Sequence, residues 1–360
     1  MTASSTSASP RALLQLFAVD HPLVQAPMAG VSTAAMAAAV ANAGALGSIG
    51  VGATDASGAR AMIADFRQRS TRSLNVNVFC HAPARADAKR EAAWLDRLRP
   101  EYSRMGAAPA ASLHEIYRSF VVDDAMLAAL VEARPRVVSF HFGVPSESRV
   151  RALREAGIVV VGSATSVAEA RRLVAAGVQV VVAQGYEAGG HRGMFDPDAL
   201  DDRLGTIALT RLLARELPVP VVAAGGIMDG AGIGAALRLG ASAAQLGTAF
   251  VLCPESLADE GYRQAMRSDA AHHTVMTRVI SGRPARCLAN RFTAFGANVA
   301  DREVPDYPIA YDAGKALHTV AKAKKDFGYG AQWAGQGAPL ARSMPAAELV
   351  ATLIGETPVG

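Results

Sequence analysis

The chain has 360 residues, 51% of them hydrophobic, with 33 glycines and a nearly balanced 36 basic against 32 acidic side chains. That composition supports a large core with many tight turns and excludes a disordered chain. The single dense basic run, Lys322, Lys324 and Lys325 beside Asp326, reads as a solvated helix face, so nucleic acid is not an expected partner.

In chain order, residues 1–10 are polar and rich in Ser and Ala, and read as a frayed leader rather than a signal peptide. Short apolar runs then recur over 22–28, 45–49, 74–79, 137–142, 158–162, 178–184, 219–224 and 243–248. Most are followed by an Ala-rich helical stretch, as at 34–43, 60–67, 147–156, 166–176 and 232–239. Unbroken Val/Ile runs suit parallel strands buried on both faces. Alternation with helices implies βαβ units, and eight of them imply an α/β fold closed into a (β/α)8 TIM barrel, with a doubly wound open sheet as the alternative. Two stretches break the rhythm. Residues 80–136 carry charged helical patterns over 87–98, 111–119 and 123–134. Residues 254–335 have no strong strand pattern and read as helices and loops punctuated by Gly282, Pro284, Pro305 and Pro308. The expected division is a barrel of 1–253 and 336–360, closed by a helix near 346–353, with 254–335 as a small cap completing the substrate site.

Cys80, Cys253 and Cys287 have no CxxC spacing, so neither a disulfide framework nor a thiolate metal site is expected. His272-His273 lacks a carboxylate partner and reads as surface, leaving no expected metal. No run approaches the ~18 apolar residues that span a bilayer. A cytoplasmic home, away from membranes, is the simplest expectation.

In such a barrel the chemistry sits at the carboxyl ends of the strands. Those ends read Ala26-Pro27-Met28-Ala29-Gly30, Asn75-Val76-Asn77, Ser139-Phe140-His141-Phe142-Gly143, Gln184-Gly185-Tyr186-Glu187-Ala188-Gly189-Gly190-His191-Arg192-Gly193, Ala224-Gly225-Gly226-Ile227 and Gln245-Leu246-Gly247-Thr248. Gly225-Gly226 and Gly247-Thr248, one βα unit apart, expose backbone N–H groups suited to a phosphate, although tight turns alone would also account for them. The Gly230, Gly232, Gly234 series is assigned to a loop and helix start, since no strand runs into it. A phosphate site alone would also hold a sugar phosphate. Asn77 and Gln184 can each donate and accept, which matches the mixed edge of a flavin, and Met28 can lie against a ring face. The alternatives are that Asn77 caps a turn and Met28 is core.

Together these strand ends resemble the nitronate monooxygenases, formerly called 2-nitropropane dioxygenases. The match covers about 20–253 and 290–315. The Ser-Phe-His-Phe-Gly stretch and the late Tyr307, Tyr311, Lys315 set are similar to the class I branch. The resemblance implies FMN held by Ala26, Pro27, Met28, Asn77, Gln184, Gly189, Gly190, Gly225, Gly226, Gln245, Leu246, Gly247 and Thr248. It implies molecular oxygen, a small anionic alkyl nitronate such as propionate 3-nitronate, a flavosemiquinone route to a carbonyl compound and nitrite, and no use of NADH or NADPH. His191, after its Gly-Gly turn, is the expected catalytic residue. His141 either helps bind the anion or is a wall residue. Tyr307, Tyr311 and Lys315, spaced i, i+4, i+8, share a helix face that suits an anionic substrate or simply packs. A monomer or homodimer is expected.

Three rivals share parts of this pattern. A flavin barrel reductase, acting from NADH on a quinone or an enoyl-thioester, has the same glycine motifs. An IMP-dehydrogenase-like barrel needs a nucleophilic Cys after strand six, and none stands there. A non-catalytic flavin- or phosphate-binding module would not need the clustered polar strand ends.

Overall fold

The computed structural model describes residues 10–358. The strands are β1 (Leu23–Gln25), β2 (Gly47–Gly50), β3 (Leu74–Phe79), β4 (Val137–His141), β5 (Val159–Ala164), β6 (Val180–Gln184), β7 (Gly190–His191), β8 (Val221–Ala224), β9 (Ala243–Leu246), β10 (Thr274–Thr277) and β11 (Ala285–Leu288). Eight of them form one parallel sheet in the order β1-β9-β8-β6-β5-β4-β3-β2. The ring closes where Gln25 N–H donates to Leu46 O at 2.9 Å and Leu46 N–H to Leu23 O at 3.0 Å. The expected (β/α)8 barrel is therefore the fold.

The helices are α1 (Pro10–Phe17), α2 (Ala34–Asn42), α3 (Ala56–Arg69), α4 (Ala88–Arg104), α5 (Asp124–Ala133), α6 (Glu147–Glu155), α7 (Val167–Ala175), α8 (Thr206–Glu216), α9 (Gly230–Arg238), α10 (Glu260–Met266), α11 (Arg291–Gly296), α12 (Ile309–Ala323) and α13 (Ala346–Glu356). Many start where the sequence supplies a cap: Thr33, Asp55, Asp87, Asp123, Ser166 and Asp229 each accept from a first-turn N–H. None of the described helices is long and apolar enough to cross a membrane.

Strand alternation sorts the side chains into two cores. Val24, Val137, Val159, Val161, Val180, Val182, Val222 and Ala243 fill the barrel interior. Leu13 and Phe17 of α1 join that cluster at the amino ends of the strands, so α1 plugs the floor. The intervening residues, such as Val138, Phe140, Val160, Val181 and Ala183, face the surrounding helices. A third cluster joins α4 to α12 through Trp94, Leu98, Tyr102, Ala313 and Leu317.

Four local expectations are corrected. Residues 111–119 form no helix. Leu113 and Tyr117 are buried there, and the His114 N–H is held at 2.9 Å by Asp312 Oδ2 of α12, so tertiary contacts override the local pattern. The helix expected over 87–98 continues to Arg104 through Pro100. A helix absent from the sequence reading, α8, follows the β6 loop, with Thr206, Leu209, Thr210 and Leu213 on its buried face. Residues 254–335 contain the strands β10 and β11, which form an antiparallel sheet with β7. Those strands are four residues each and too short to show alternation, and the pairing of β11 to Gly190 and His191 is non-local. The leader reading of 1–10 lies almost wholly outside the described residues.

Candidate active site

In five of the eight barrel strands, alternation aims a late polar side chain at the barrel axis. Asn77 of β3, Ser139 and His141 of β4, Ser163 of β5, Gln184 of β6 and Gln245 of β9 all line one cavity of about 430 Å³ at the carboxyl end. Ala26, Pro27, Met28, Gly189, Gly190, His191, Gly225, Gly226, Gly247, Thr248, Tyr307, Tyr311 and Lys315 line it too. Every residue expected at the site is there except Leu246. That side chain alternates outward into the helix layer with Leu23, Ile233 and Leu353, and is 1% exposed. The expectation that Leu246 contacts a cofactor is corrected by the period of the strand.

Two loops supply free backbone donors. The N–H groups of Gly226, Gly247 and Thr248 have no acceptor among the described residues. Gly225 and Gly226 take φ of +122° and +70°, a turn that suits glycine. Their neighbours are clamped. The Glu187 carboxylate accepts from Thr206 N–H at 2.8 and 3.0 Å and from Thr206 Oγ1 at 3.0 Å, at the start of α8. Thr206 Oγ1 also reaches Gly225 O at 2.9 Å. Gln25 does the same for the Ala26–Met28 loop: its Oε1 accepts from Ser48 N–H at 2.8 Å and its Nε2 donates to Ser32 Oγ at 2.9 Å.

The amides are less free than the sequence suggested. Gln184 Nε2 donates to His191 O at 3.0 Å, and its Oε1 accepts from Gly193 N–H at 2.7 Å, so it staples the His191 loop. Asn77 Nδ2 donates to Ser139 Oγ at 3.0 Å and Ser139 O at 3.1 Å, leaving its Oδ1 unengaged by described residues. Gln245 makes no side-chain hydrogen bond to them. Arg192, 2% exposed, anchors the same loop through a two-pronged pair with Asp201 at 2.9 and 3.0 Å.

His191 is fixed on three sides. Its backbone pairs with Ala285 of β11. Its carbonyl accepts from His141 Nε2 at 3.2 Å, which makes His141 the Nε2–H tautomer. Its own Nε2 lies 2.8 Å from Ser281 Oγ, and Ser281 in turn donates to Arg283 O at 3.4 Å. In that order His191 donates from Nε2 and carries its lone pair on Nδ1, which has no partner among the described residues. Burial holds its pKa well below the ordinary value, helped by the charges of His141, Arg283 and His81. Burial takes His141 down to about 4 as well, with its bond to the His191 carbonyl opposing.

Tyr307 precedes α12, and Tyr311 and Lys315 lie on it, so two of the three share the helix face expected of all. Their rings surround His191: Tyr307 at 5.4 Å, Tyr311 at 6.0 Å and Trp333 at 5.0 Å between centroids. Burial pushes the Tyr311 phenol up to about 12 and Tyr307 well above its usual value, so both stay O–H donors. The Tyr307 hydroxyl is buried and has no hydrogen-bond partner among the described residues. Lys315 Nζ stands 5.0 Å from the Tyr117 ring and 5.2 Å from the Tyr311 ring, with its pKa lowered by burial against the pull of Asp312. His272 and His273 are exposed, and the described residues hold no cluster of three metal-ligating side chains.

Ser281, Trp333 and Ser163 were missed by sequence reasoning. Ser163 follows from strand alternation. Ser281 and Trp333 come from non-local pairing and carry no local signal.

Comparison with known proteins adds the following. A family model described as nitronate monooxygenase matches residues 11–356. The chain is 62% identical over 343 residues to a nitronate monooxygenase of Paraburkholderia phytofirmans, covering 95% of this chain and 94% of that one. It is 53% identical to a nitronate monooxygenase of Pseudomonas aeruginosa, covering 95% and 97%. Among solved structures, a nitroalkane oxidase from Streptomyces ansochromogenes superposes with a TM-score of 0.86 at 38% identity, covering 96% and 97%. FabK from Thermotoga maritima superposes at 0.71 with 27% identity, covering 96% and 95%.

Proposed function

The chain belongs to the nitronate monooxygenase family, an oxidoreductase family, and from that premise we propose that it binds FMN and converts alkyl nitronates with molecular oxygen to a carbonyl compound and nitrite. The observation that carries this reading is the pairing, in one cavity, of a free-amide cradle with a histidine that burial keeps unprotonated.

The residues present fit FMN. The free N–H groups of Gly226, Gly247 and Thr248 suit its phosphate. Ala26, Pro27, Met28 and Val182 give an apolar wall for its ring, and Asn77 Oδ1 and Gln245 suit the ring's polar edge. FMN, when bound, supplies the electron acceptor.

The remaining work falls to the chain. A nitronate is already deprotonated and needs no base. Tyr307 and Tyr311 offer O–H donors to its oxygens, and Lys315 offers charge to a carboxylate at its far end. His191 Nδ1 accepts a proton only when the substrate is a neutral nitroalkane. Because burial disfavours the imidazolium, that step is the harder one, which favours nitronates as the substrates. Residues 254–335 act as a cap that brings Tyr307, Tyr311, Lys315 and Trp333 over the barrel mouth.

The test is a visible spectrum of the purified protein followed by oxygen uptake with propionate 3-nitronate and, separately, with NADH. A flavin spectrum, uptake with the nitronate and none with NADH is the expected result. NADH oxidation with the nitronate untouched would move the protein to the reductases.

A further inference from the structure

We propose that Arg283 is the fixed positive charge of this site, a buried guanidinium that acts through the Phe142 ring to make the cavity at His191 selective for anions. The proposal rests on the reading above for the identity of the anion, and on geometry for the rest.

Arg283 is 3% exposed. No carboxylate among the described residues forms an ion pair with it; of the two other buried arginines, Arg192 is paired with Asp201, and Arg286, also without an ion pair, has all three of its nitrogens engaged by Tyr186 O and Thr274 Oγ1. Its Nη2 donates to Met194 O, and its Nε is buried with no partner among the described residues. The acids that act on it do so from further away and are already engaged. Glu169 holds Thr165 and the Phe195 N–H, and Asp196 holds the Asp198 N–H. Arg278, tied to Asp198 and Asp301, opposes them. A buried cation left without a counter-ion is strongly unfavourable, so its persistence points to a charge supplied from outside the chain.

Phe142 relays that charge. The guanidinium lies 4.4 Å from the ring centroid. The same ring meets His191 edge-on at 5.5 Å, Tyr307 at 5.4 Å and His141 at 4.5 Å. It excludes water between the cation and the cavity, so the field is poorly screened. Phe142 also has a φ of +72°, a conformation that a bulky residue adopts only when its surroundings impose it. Among the groups whose charge bears on His191, His141 and His81 are pressed to about 4 and about 3 and are neutral at pH 7. Arg283 alone of the three keeps its charge there.

The test uses nitrate, a planar anion shaped like the nitronate head, titrated calorimetrically into the protein as purified. Arg283→Gln keeps a donor for Met194 O and loses the charge, while Arg283→Lys keeps the charge. The expected result is nitrate affinity at least ~10-fold weaker in the Gln variant and within ~3-fold of wild type in the Lys variant, with kcat/KM falling for nitronates more than for neutral nitroalkanes. Unchanged nitrate binding in Arg283→Gln overturns the proposal. So does equal loss in both variants, which marks a purely structural role. Should the Gln variant fail to fold, Lys315→Met decides. Nitrate affinity that stays flat between pH 6 and 8 supports Arg283, and loss of binding assigns the charge to Lys315. Turnover is not needed for this readout, so a protein that ignores nitronates yet loses nitrate on Arg283→Gln would refute the proposed reaction and leave Arg283 standing.

Discussion

His191 offers Nδ1 to the cavity while Ser281 holds Nε2, and under the proposed reaction this arrangement would separate two substrate classes. In His191→Asn, FMN should stay bound, and oxygen uptake with a neutral nitroalkane should fall far more than uptake with its nitronate. Equal retention of both activities would remove His191 from the mechanism. The buried imidazoles also set an acid limit. His81 and His141 sit at about 3 and about 4 in the folded chain, below the ordinary 6.5 that they regain on unfolding. Between those values the unfolded chain binds more protons, so stability is fully present above about pH 6.5 and is lost as pH falls toward 4. Thermal melts from pH 7.5 to 4.5 should show the midpoint falling, and His81→Phe should flatten that slope.

At the scale of elements, the β6 loop is held by contacts that leave no slack. A Cβ on Gly189 would lie 2.4 Å from Gly335 N and 2.5 Å from Ala334 C, both backbone atoms that cannot move aside cheaply. Gly189→Ala should therefore cost several kcal/mol, of order 3, and displace His191, visible together as a lower melting temperature and a lost kcat. Glu187→Ala removes the carboxylate that caps α8 and ties Gly225 to the loop through Thr206. A loss of about 1–2 kcal/mol in denaturant melts is expected. The barrel strands were legible in the sequence because they are short apolar runs, most of them Val-rich, with polar residues at intervals. Asn77, Gln184 and Gln245 stood out for the same reason. Leu246 was misplaced because the motif was read as a block and not by its two-residue period. Residues 111–119 and the β10–β11 sheet were not legible, because their structure is set by partners distant in sequence, such as Asp312 for His114 and Gly190 for Arg286.

For the molecule as a whole, a ligand that binds only the folded chain must raise its stability by mass action. FMN at 100 times its dissociation constant should contribute about 2.7 kcal/mol, a rise of several degrees in the melting midpoint. Riboflavin, which lacks the phosphate, should raise it much less if the Gly226, Gly247 and Thr248 amides bind that group. Equal shifts from both ligands would remove the cradle from the account. The sheet formed by β7, β10 and β11 has a consequence for traffic through the site. Gly190 and His191 belong to the barrel's own loop, yet they pair with β11 beyond the mouth. Lifting residues 254–335 away as a unit would tear that pairing and the Ser281 bond, carrying the histidine off with the lid. A lid closed in this way would leave ligands to come and go by a standing opening, and because α1 stops the opposite end, entry and exit would share it.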